Sequence, residues 1–303
     1  MKMLAKIINL YPIMGKQDLF IIGDIVPDYN SDYKILEPNA DIDARRSYWA
    51  VGIGLQKIDG IDTSDYLDEL IEDSLNGKYS TEEAVAQITR HYEHLDQSDP
   101  LVSTKEADLS AARIAKLLEY DDFKLSPITL KSIHKQLFAD IFPDDVAGVF
   151  RDKSIAKEEP ILGGLSVRYA AGHEVADYLV YDFEQELKAR YYHPVDEKQA
   201  QQLTGFISRV WQTHPFFEGN TRSIVTFALK YMRSLGINVD NTLFQEHSAW
   251  FRNALVRANY SNIAKGISAD AEPLQLFMNR VVLGHNFDPL TIDLHLKQEK
   301  SDT

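Results

Sequence analysis

A nine-residue segment, HPFFEGNTR, collects side chains that suit phosphate chemistry. His214 can accept a proton near neutral pH, because the unperturbed pKa of histidine is about 6.5. Pro215 fixes its backbone φ angle and Phe216 can bury its ring, so these two residues can anchor the loop rigidly. The first half of the segment therefore predicts a general base held in a fixed position.

The second half of the segment predicts an anion site. Gly219 and Asn220 tolerate backbone angles that most residues avoid, and they directly precede a helical pattern. Successive N–H groups can therefore converge on an anion at the positive end of a helix. Arg222 adds a permanent charge with forked donors, and Glu218 beside this cradle is best explained as a Mg²⁺ ligand. On composition alone, a packed turn with a helix cap is the simpler alternative.

Helical patterns surround this segment and must position it. Apolar residues recur three and four places apart through most of the chain from residue 67 to residue 282, as on the buried face of a helix. Asn76-Gly77 is a helix stop, and Ser80 followed by Glu83 has the spacing of a capping box. These patterns predict an all-α fold in which the segment joins two helices.

Two other stretches interrupt the helical pattern. Residues 148–170 place β-branched residues on both sides of a Gly-Gly pair, which predicts an extended flap or a short β-hairpin. Turn-like residues near position 98 indicate a linker. We therefore divide the chain into a small, mostly helical N-terminal module at 1–98 and a larger domain at 99–303. Within the module, prolines in residues 1–43 favour irregular or β elements.

The composition limits the classes of function. The chain has 303 residues, 44% of them hydrophobic, which is enough for a sizeable core. Its formal net charge of −14 argues against a sequence-independent nucleic-acid surface, so no nucleic acid partner is expected. It contains no cysteine, no signal-peptide core and no uninterrupted apolar run of about 18 residues. We expect a cytoplasmic protein without membrane contact, and leave open whether it forms a homodimer.

The segment closely resembles the signature of the Fic (filamentation induced by cAMP) family, His-Pro-Phe-x-Asp/Glu-Gly-Asn-Gly-Arg-x-x-Arg. Seven residues stand at matching positions: His214, Pro215, Phe216, Glu218, Gly219, Asn220 and Arg222. The similarity extends over roughly residues 100–285. The resemblance implies a Fic-type helical bundle for the larger domain. It also implies AMPylation, in which AMP moves from ATP, with Mg²⁺, to a Ser, Thr or Tyr hydroxyl of a target protein.

The resemblance also implies roles for individual residues. His214 would deprotonate the attacking hydroxyl, and Glu218 would hold Mg²⁺ on the α and β phosphates. Gly219, Asn220 and Arg222 would stabilise the charge that develops there.

Two further elements of the site follow from the family. The flap would align the target as an added strand, because main-chain pairing orients a hydroxyl without reading much sequence. The flap residues are Ser154, Ile155, Ala156, Lys157 and Glu158. Asn253, on a later helix, is a candidate adenine or ribose contact, with an ordinary polar helix position as the alternative.

Two residues depart from the family signature. Thr221 replaces its second glycine and Val225 replaces its second arginine. In the family that arginine holds the γ-phosphate and pairs with an inhibitory glutamate of a Ser/Thr-x-x-x-Glu-Gly/Asn helix, a pattern that this chain lacks. A threonine hydroxyl at a helix start could donate to phosphate in compensation, so Thr221 stays among the nucleotide-binding candidates. The donor nucleotide is therefore open.

The N-terminal helices resemble small antitoxin-like modules found beside Fic domains. A helical scaffold that docks targets or supports the fold is the alternative. Three functions stay open: an AMP transferase acting on a protein, a weakened Fic domain that serves as a regulatory binding module, and a transferase of phosphate, phosphocholine or another nucleotide monophosphate.

Overall fold

A computed structural model describes residues 40–96 and 98–296. In these ranges the chain forms ten α-helices and no β-strand, which confirms the predicted all-α class. Most of the irregular segment predicted for residues 1–43 lies outside the described residues. The helices are α1 (Ile42–Gln56), α2 (Asp65–Leu75), α3 (Thr81–His94), α4 (Lys105–Leu118), α5 (Pro127–Phe138), α6 (Val175–Leu187), α7 (Glu197–Thr213), α8 (Asn220–Ser234), α9 (Thr242–Asn259) and α10 (Glu272–Leu283).

Local capping signals fix where several helices begin. The hydroxyl of Ser80 accepts a hydrogen bond from the N–H of Glu83, and the Glu83 carboxylate accepts one from the N–H of Ser80. The predicted capping box at the start of α3 is therefore confirmed. Asp196 and Gln199 form a second capping box at the start of α7, the helix that ends at the candidate site.

The central helix of the fold is α8. Every residue from Asn220 to Met232 is buried, and the helix packs against α4, α5 and α7. A helix that is covered on all sides has its ends fixed by its neighbours as well as by its own caps. The start of α8, where the nine-residue segment enters, is therefore held rigidly.

Two glycines let α1 pass close to the helices on either side of it. A Cβ atom on Gly52 would lie 2.4 Å from the carbonyl oxygen of Ala111 on α4, and one on Gly54 would lie 2.5 Å from the Cα of Gln245 on α9. All ten helices belong to one compact unit, with α1 packed on α4 and α9. The functional boundary expected between residues 98 and 99 stays a prediction.

A single methyl group should test this close packing. Gly54→Ala is expected to lower the free energy of unfolding by about 1–3 kcal/mol, because the Cβ meets backbone atoms that cannot move aside. Gly205→Ala is the matched control, since a Cβ in the middle of α7 would meet only the end of the Arg209 side chain at 3.3 Å. The control should be neutral or stabilising by up to about 1 kcal/mol. Urea denaturation measures both, and equal stabilities would contradict the packing argument.

The predicted β-hairpin is not present among the described residues. Residues 154–158 lie in no helix or strand, and one isolated antiparallel bridge joins Glu159 to Leu165. Gly163 and Gly164 have positive φ angles and turn the chain, as the Gly-Gly pair suggested. The turn was predicted correctly, whereas the ladder of hydrogen bonds that a hairpin needs does not form.

None of the helices in the described ranges combines the length and the apolar character that crossing a membrane requires.

Candidate active site

His214 terminates α7 in an unusual backbone conformation. Its φ angle is 50°, in the left-handed region that few residues other than glycine adopt. Its Nδ1 lies 3.2 Å from the carbonyl oxygen of Trp211, which can only accept a hydrogen bond. Nδ1 therefore carries the ring proton, and Nε2 keeps the lone pair that a general base needs.

The surroundings of His214 keep its imidazole neutral. Burial lowers the pKa of His214 to about 3, against a smaller opposing effect of the hydrogen bond to Trp211. The nearby cations Arg151, Lys157 and Arg252 lower the pKa further. The ring of Tyr169 stacks on the imidazole with 4.1 Å between the ring centroids. The side chain is thus held in its proton-accepting form at neutral pH.

Arg151 clamps the backbone of the loop to the base of the flap. Its guanidinium donates to the carbonyl of Thr213 at 3.0 Å and to that of His214 at 2.6 Å, and its own N–H donates to the carbonyl of Pro215 at 2.8 Å. A further bond reaches the carbonyl of Ala170 at 2.7 Å. Bonds to three successive carbonyls hold the loop in the left-handed turn that it would otherwise leave.

Phe216 and Asn220 close the loop on itself. The Asn220 side chain accepts from the N–H of Phe216 and donates to its carbonyl, both at 2.8 Å. The ring of Phe216 is fully buried and stacks on His134 at 3.8 Å. The amide of Asn220 is therefore used within the loop, and only its backbone N–H is placed to meet an anion. Between Gly219 and Asn220, the left-handed angles expected of this pair occur at Gly219 alone.

The start of α8 has a geometry that suits an anion. Gly219 has φ 68°, and a Cβ there would lie 2.3 Å from the ring of Phe138, so glycine is required. No side chain in the described part of the chain caps α8, and its first intrahelical bond runs from Ser223 to Gly219. The N–H groups ahead of Ser223 at the helix start are left available to a negatively charged ligand.

A cavity of about 350 Å³ lies in front of this helix start. His214 and Glu218 line it together with the flap residues, and the side chain of Glu218 is exposed. The complete lining is Asp59, Ile155, Ala156, Lys157, His214, Phe217, Glu218, Gly219, Asn220, Thr221 and Arg252. Base, acidic residue, helix start and flap therefore meet at one opening.

The two end residues of the predicted flap do not line this cavity. Ser154 lines a neighbouring pocket of about 740 Å³ together with Tyr169 and Thr213. Glu158 is exposed and is absent from the linings of both pockets. The central residues Ile155, Ala156 and Lys157 are thus the part of the flap that faces the cavity.

Arg222 does not line the cavity, although the sequence predicts a phosphate contact for it. Its guanidinium is 2% exposed and pairs with two acids, Asp59 at 2.9 Å and Glu106 at 2.6 Å. It also donates to the side chains of Gln56 and Ser110, at 3.0 and 3.3 Å. Arg222, the side chain of the loop best suited to bind an anion, is therefore already paired with two carboxylates of the protein.

Asp59 stands between that guanidinium and the cavity. It follows the C-terminus of α1, lines the cavity, and lies 4.0 Å from the ammonium group of Lys157 on the flap. The family's inhibitory pattern does not predict it, because Asp59-Gly60 has an aspartate in place of glutamate and Leu55 in place of Ser or Thr four residues earlier. An acid followed by glycine at a helix end was the available signal.

Residues 124–232 match the family model described as the Fic/DOC family. These residues form a Fic/DOC domain. No curated protein matches the chain. Proteins of this family are generally transferases of AMP or other nucleotide groups.

The Fic domain contains the segment, the flap, Arg151 and His134, whereas Asp59, Glu106 and Arg252 lie outside the match. The part of the chain before residue 124 therefore contributes Asp59 to the cavity that the matched residues line. The sequence predicted no role for Asp59 or for Arg252, although Arg252 directly precedes the candidate Asn253.

The two departures from the Fic signature are both accommodated in the structure. The hydroxyl of Thr221 accepts from the indole Nε1 of Trp211 at 2.9 Å and keeps its own proton for another acceptor. Val225 is 1% exposed and packs in the hydrophobic core. The position that carries the second arginine in the family signature is thus apolar here, and no charge could be placed there without reorganisation.

On α9, the cavity residue is Arg252 and not its predicted neighbour Asn253. Arg252 pairs through both terminal nitrogens with Glu159, a fully buried carboxylate that also accepts from Tyr169 at 3.3 Å. The Asn253 side chain lies 3.4 Å from Arg252 and is absent from the cavity lining. A nucleotide contact by Asn253 stays a prediction.

Proposed function

We propose that this protein transfers AMP from ATP to a Ser, Thr or Tyr hydroxyl of a target protein. The observation that carries the proposal is the pairing of a neutral imidazole, protonated on Nδ1, with an uncapped helix start across one cavity. A base and an anion cradle on either side of a small opening suit attack of a hydroxyl on phosphorus.

The reaction would run as a single displacement. The hydroxyl oxygen of the target forms a bond to the α-phosphorus of ATP while its proton moves to Nε2 of His214. The bond between the α-phosphorus and the bridging oxygen breaks, and pyrophosphate leaves. The N–H groups at the start of α8 would hold the oxygens whose charge increases during this step.

Glu218 is the residue that would hold Mg²⁺. Its carboxylate is exposed at the cavity beside the helix start. The described residues contain no group of three His, Cys, Asp or Glu side chains that could hold a metal ion by themselves. A single protein carboxylate fits Mg²⁺, which usually keeps water and phosphate oxygens as its other ligands and would neutralise phosphate charge here.

The flap would present the target. Residues 154–158 lie outside any helix or strand, so their backbone is not committed to a ladder and could pair with an added segment. Ile155 and Ala156 line the same cavity as His214, which would bring a hydroxyl of that segment to the base. This mode orients the target without requiring a particular sequence around the hydroxyl.

The pairing of Arg222 with Asp59 supports a restraint on this activity. A nucleotide phosphate and the Asp59 carboxylate are both anions that suit one guanidinium, so they would compete for it. The restraint would be supplied by the loop after α1, within the N-terminal region that resembles antitoxin-like modules.

A weakened Fic domain that only binds a partner is the second candidate. The apolar Val225 and the occupied Arg222 favour it, because both reduce the attraction for a triphosphate. A transferase with another donor keeps the same catalytic geometry and differs only in the group that moves.

Labelled nucleotides distinguish these possibilities. The purified protein is incubated with Mg²⁺ and a mixture of candidate targets, with ATP labelled on the α or the γ phosphate and with other α-labelled nucleotides. We expect protein-bound label from α-labelled ATP and none from γ-labelled ATP. Label from γ-labelled ATP would indicate phosphate transfer, and label from another α-labelled nucleotide would change the donor. No label from any donor, with partner binding retained, would support the binding module.

A further inference from the structure

A second histidine of the site, His134, lies fully buried on α5 beneath the loop. The N–H of Gly148 donates to its Nδ1 at 2.8 Å, so Nδ1 must be the acceptor nitrogen. Its Nε2 lies 3.0 Å from the carbonyl oxygen of Glu218, which can only accept. The two contacts together place the ring proton on Nε2 and fix the tautomer.

The same ring supports the loop at a second point. His134 stacks on Phe216 at 3.8 Å with 20° between the ring planes, and it lies 4.8 Å from Phe138. Phe138 in turn packs against Gly219 and lies under the guanidinium of Arg222. The loop therefore packs on α5, and His134 is the α5 residue that donates a hydrogen bond to the loop backbone.

Glu218 has few other restraints. Its carboxylate makes no hydrogen bond or ion pair to any described residue, and its side chain is exposed. The carboxylate is therefore restrained only through its backbone, and the bond from His134 restrains that backbone directly.

We propose that His134 is a positioning residue that holds Glu218 where it can bind Mg²⁺ together with a nucleotide. The inference rests on the proposed function in that it needs a nucleotide and Mg²⁺ to share the cavity. It does not need the transfer step. Contacts that orient a metal ligand typically contribute about 10- to 100-fold to metal affinity.

Two substitutions separate the bond to Glu218 from the other contacts of the ring. The amide of His134→Gln can reach the position of Nε2 and donate to the Glu218 carbonyl. The shorter His134→Asn can accept from Gly148 but cannot reach Glu218. Both lose the stacking on Phe216, so the difference between them reports on the Glu218 bond.

The measurement is the binding of ATP by calorimetry in excess Mg²⁺ and in EDTA, at matched ionic strength. The ratio of the two Kd values is the coupling between nucleotide and metal. We expect His134→Asn to reduce the coupling about tenfold, His134→Gln to retain most of it, and Glu218→Gln to abolish it. Thermal unfolding of all variants shows whether they fold, and the comparison of Gln with Asn stands even where both are less stable than the wild type.

Equal coupling in the Asn and Gln variants would overturn the inference, as would a wild-type protein with no coupling at all. The proposed transfer can fail independently of this result, because a wild-type protein that shows Mg²⁺ coupling but labels no target would leave the positioning role standing.

Discussion

Replacing His214 by alanine is expected to lower the rate of AMP transfer by about 10²- to 10⁴-fold, the usual contribution of a general base. Nδ1 of His214 donates its proton to the carbonyl of Trp211, so Nε2 is the nitrogen that can accept a proton at the cavity. Alanine leaves the attacking hydroxyl without an acceptor for its proton. The measurement is the initial rate of protein labelling with α-labelled ATP.

His285→Ala serves as the control for this substitution, because His285 is exposed after the end of α10, away from the cavity lining. It should label targets at the wild-type rate. ATP binding to His214→Ala should be close to normal, since the base acts on the attacking group. Retained transfer in His214→Ala would contradict the role of His214 as the base.

The pH dependence of the wild-type protein gives the same assignment a second test. A base must be unprotonated, and the base form of an ordinary histidine falls by half near its pKa of about 6.5. Burial lowers the pKa of His214 to about 3, so its base form persists far below that point. We expect kcat/KM to show no loss from His214 between about pH 8 and 5. An inflection near pH 6.5 that disappears with His214 would contradict the lowered pKa.

Replacing Asp59 by asparagine is expected to raise ATP affinity and transfer about 10- to 100-fold, corresponding to about 1.5–3 kcal/mol for one charge-assisted contact. The Asp59 carboxylate lies 2.9 Å from Nε of Arg222 and neutralises the guanidinium charge, so a neutral amide in its place removes an anion that competes with phosphate. Glu106 still pairs with the guanidinium, so the substitution leaves no unpaired buried charge. Binding of ATP and labelling of targets are measured side by side.

Asp62→Asn is the matched control for Asp59→Asn. Asp62 lies three residues later in the same loop, is exposed, and makes no ion pair with any described residue. It carries the same change of net charge, so a general electrostatic effect would appear in both variants. Unchanged ATP affinity in Asp59→Asn would show that Asp59 does not compete with the nucleotide.

Local signals in the sequence account for most of the fold. The capping box needs only Ser80 and Glu83, three residues apart. The turn needs only the positive φ angles of Gly163 and Gly164. Both features could therefore be predicted without knowing what packs nearby. His214 through Arg222 are consecutive, and their types alone suggest a base beside an anion site.

What could not be predicted depends on contacts between distant parts of the chain. Arg222 lies 163 residues from Asp59, and nothing in the local pattern indicates that a guanidinium suited to phosphate would pair with it. His134 looks like a core histidine on an amphipathic helix until its nitrogens are seen to face Gly148 and Glu218. The flap likewise has strand-like composition. The local sequence does not indicate that Glu159, at the end of the flap, pairs with Arg252 of α9.

The close approach of α1 to its neighbours determines how a restraint by Asp59 could be lifted. The helix that precedes Asp59 contributes Trp49, Val51 and Leu55 to the core, and burying each such side chain is worth about 1.5–3 kcal/mol. Detaching α1 would therefore leave the remaining helices without part of their interior. A signal that lifts such a restraint would have to bend the few residues between α1 and α2, because α1 cannot leave without loss of the core. Cutting the chain before α4 would destabilise the remaining helices as well as remove Asp59.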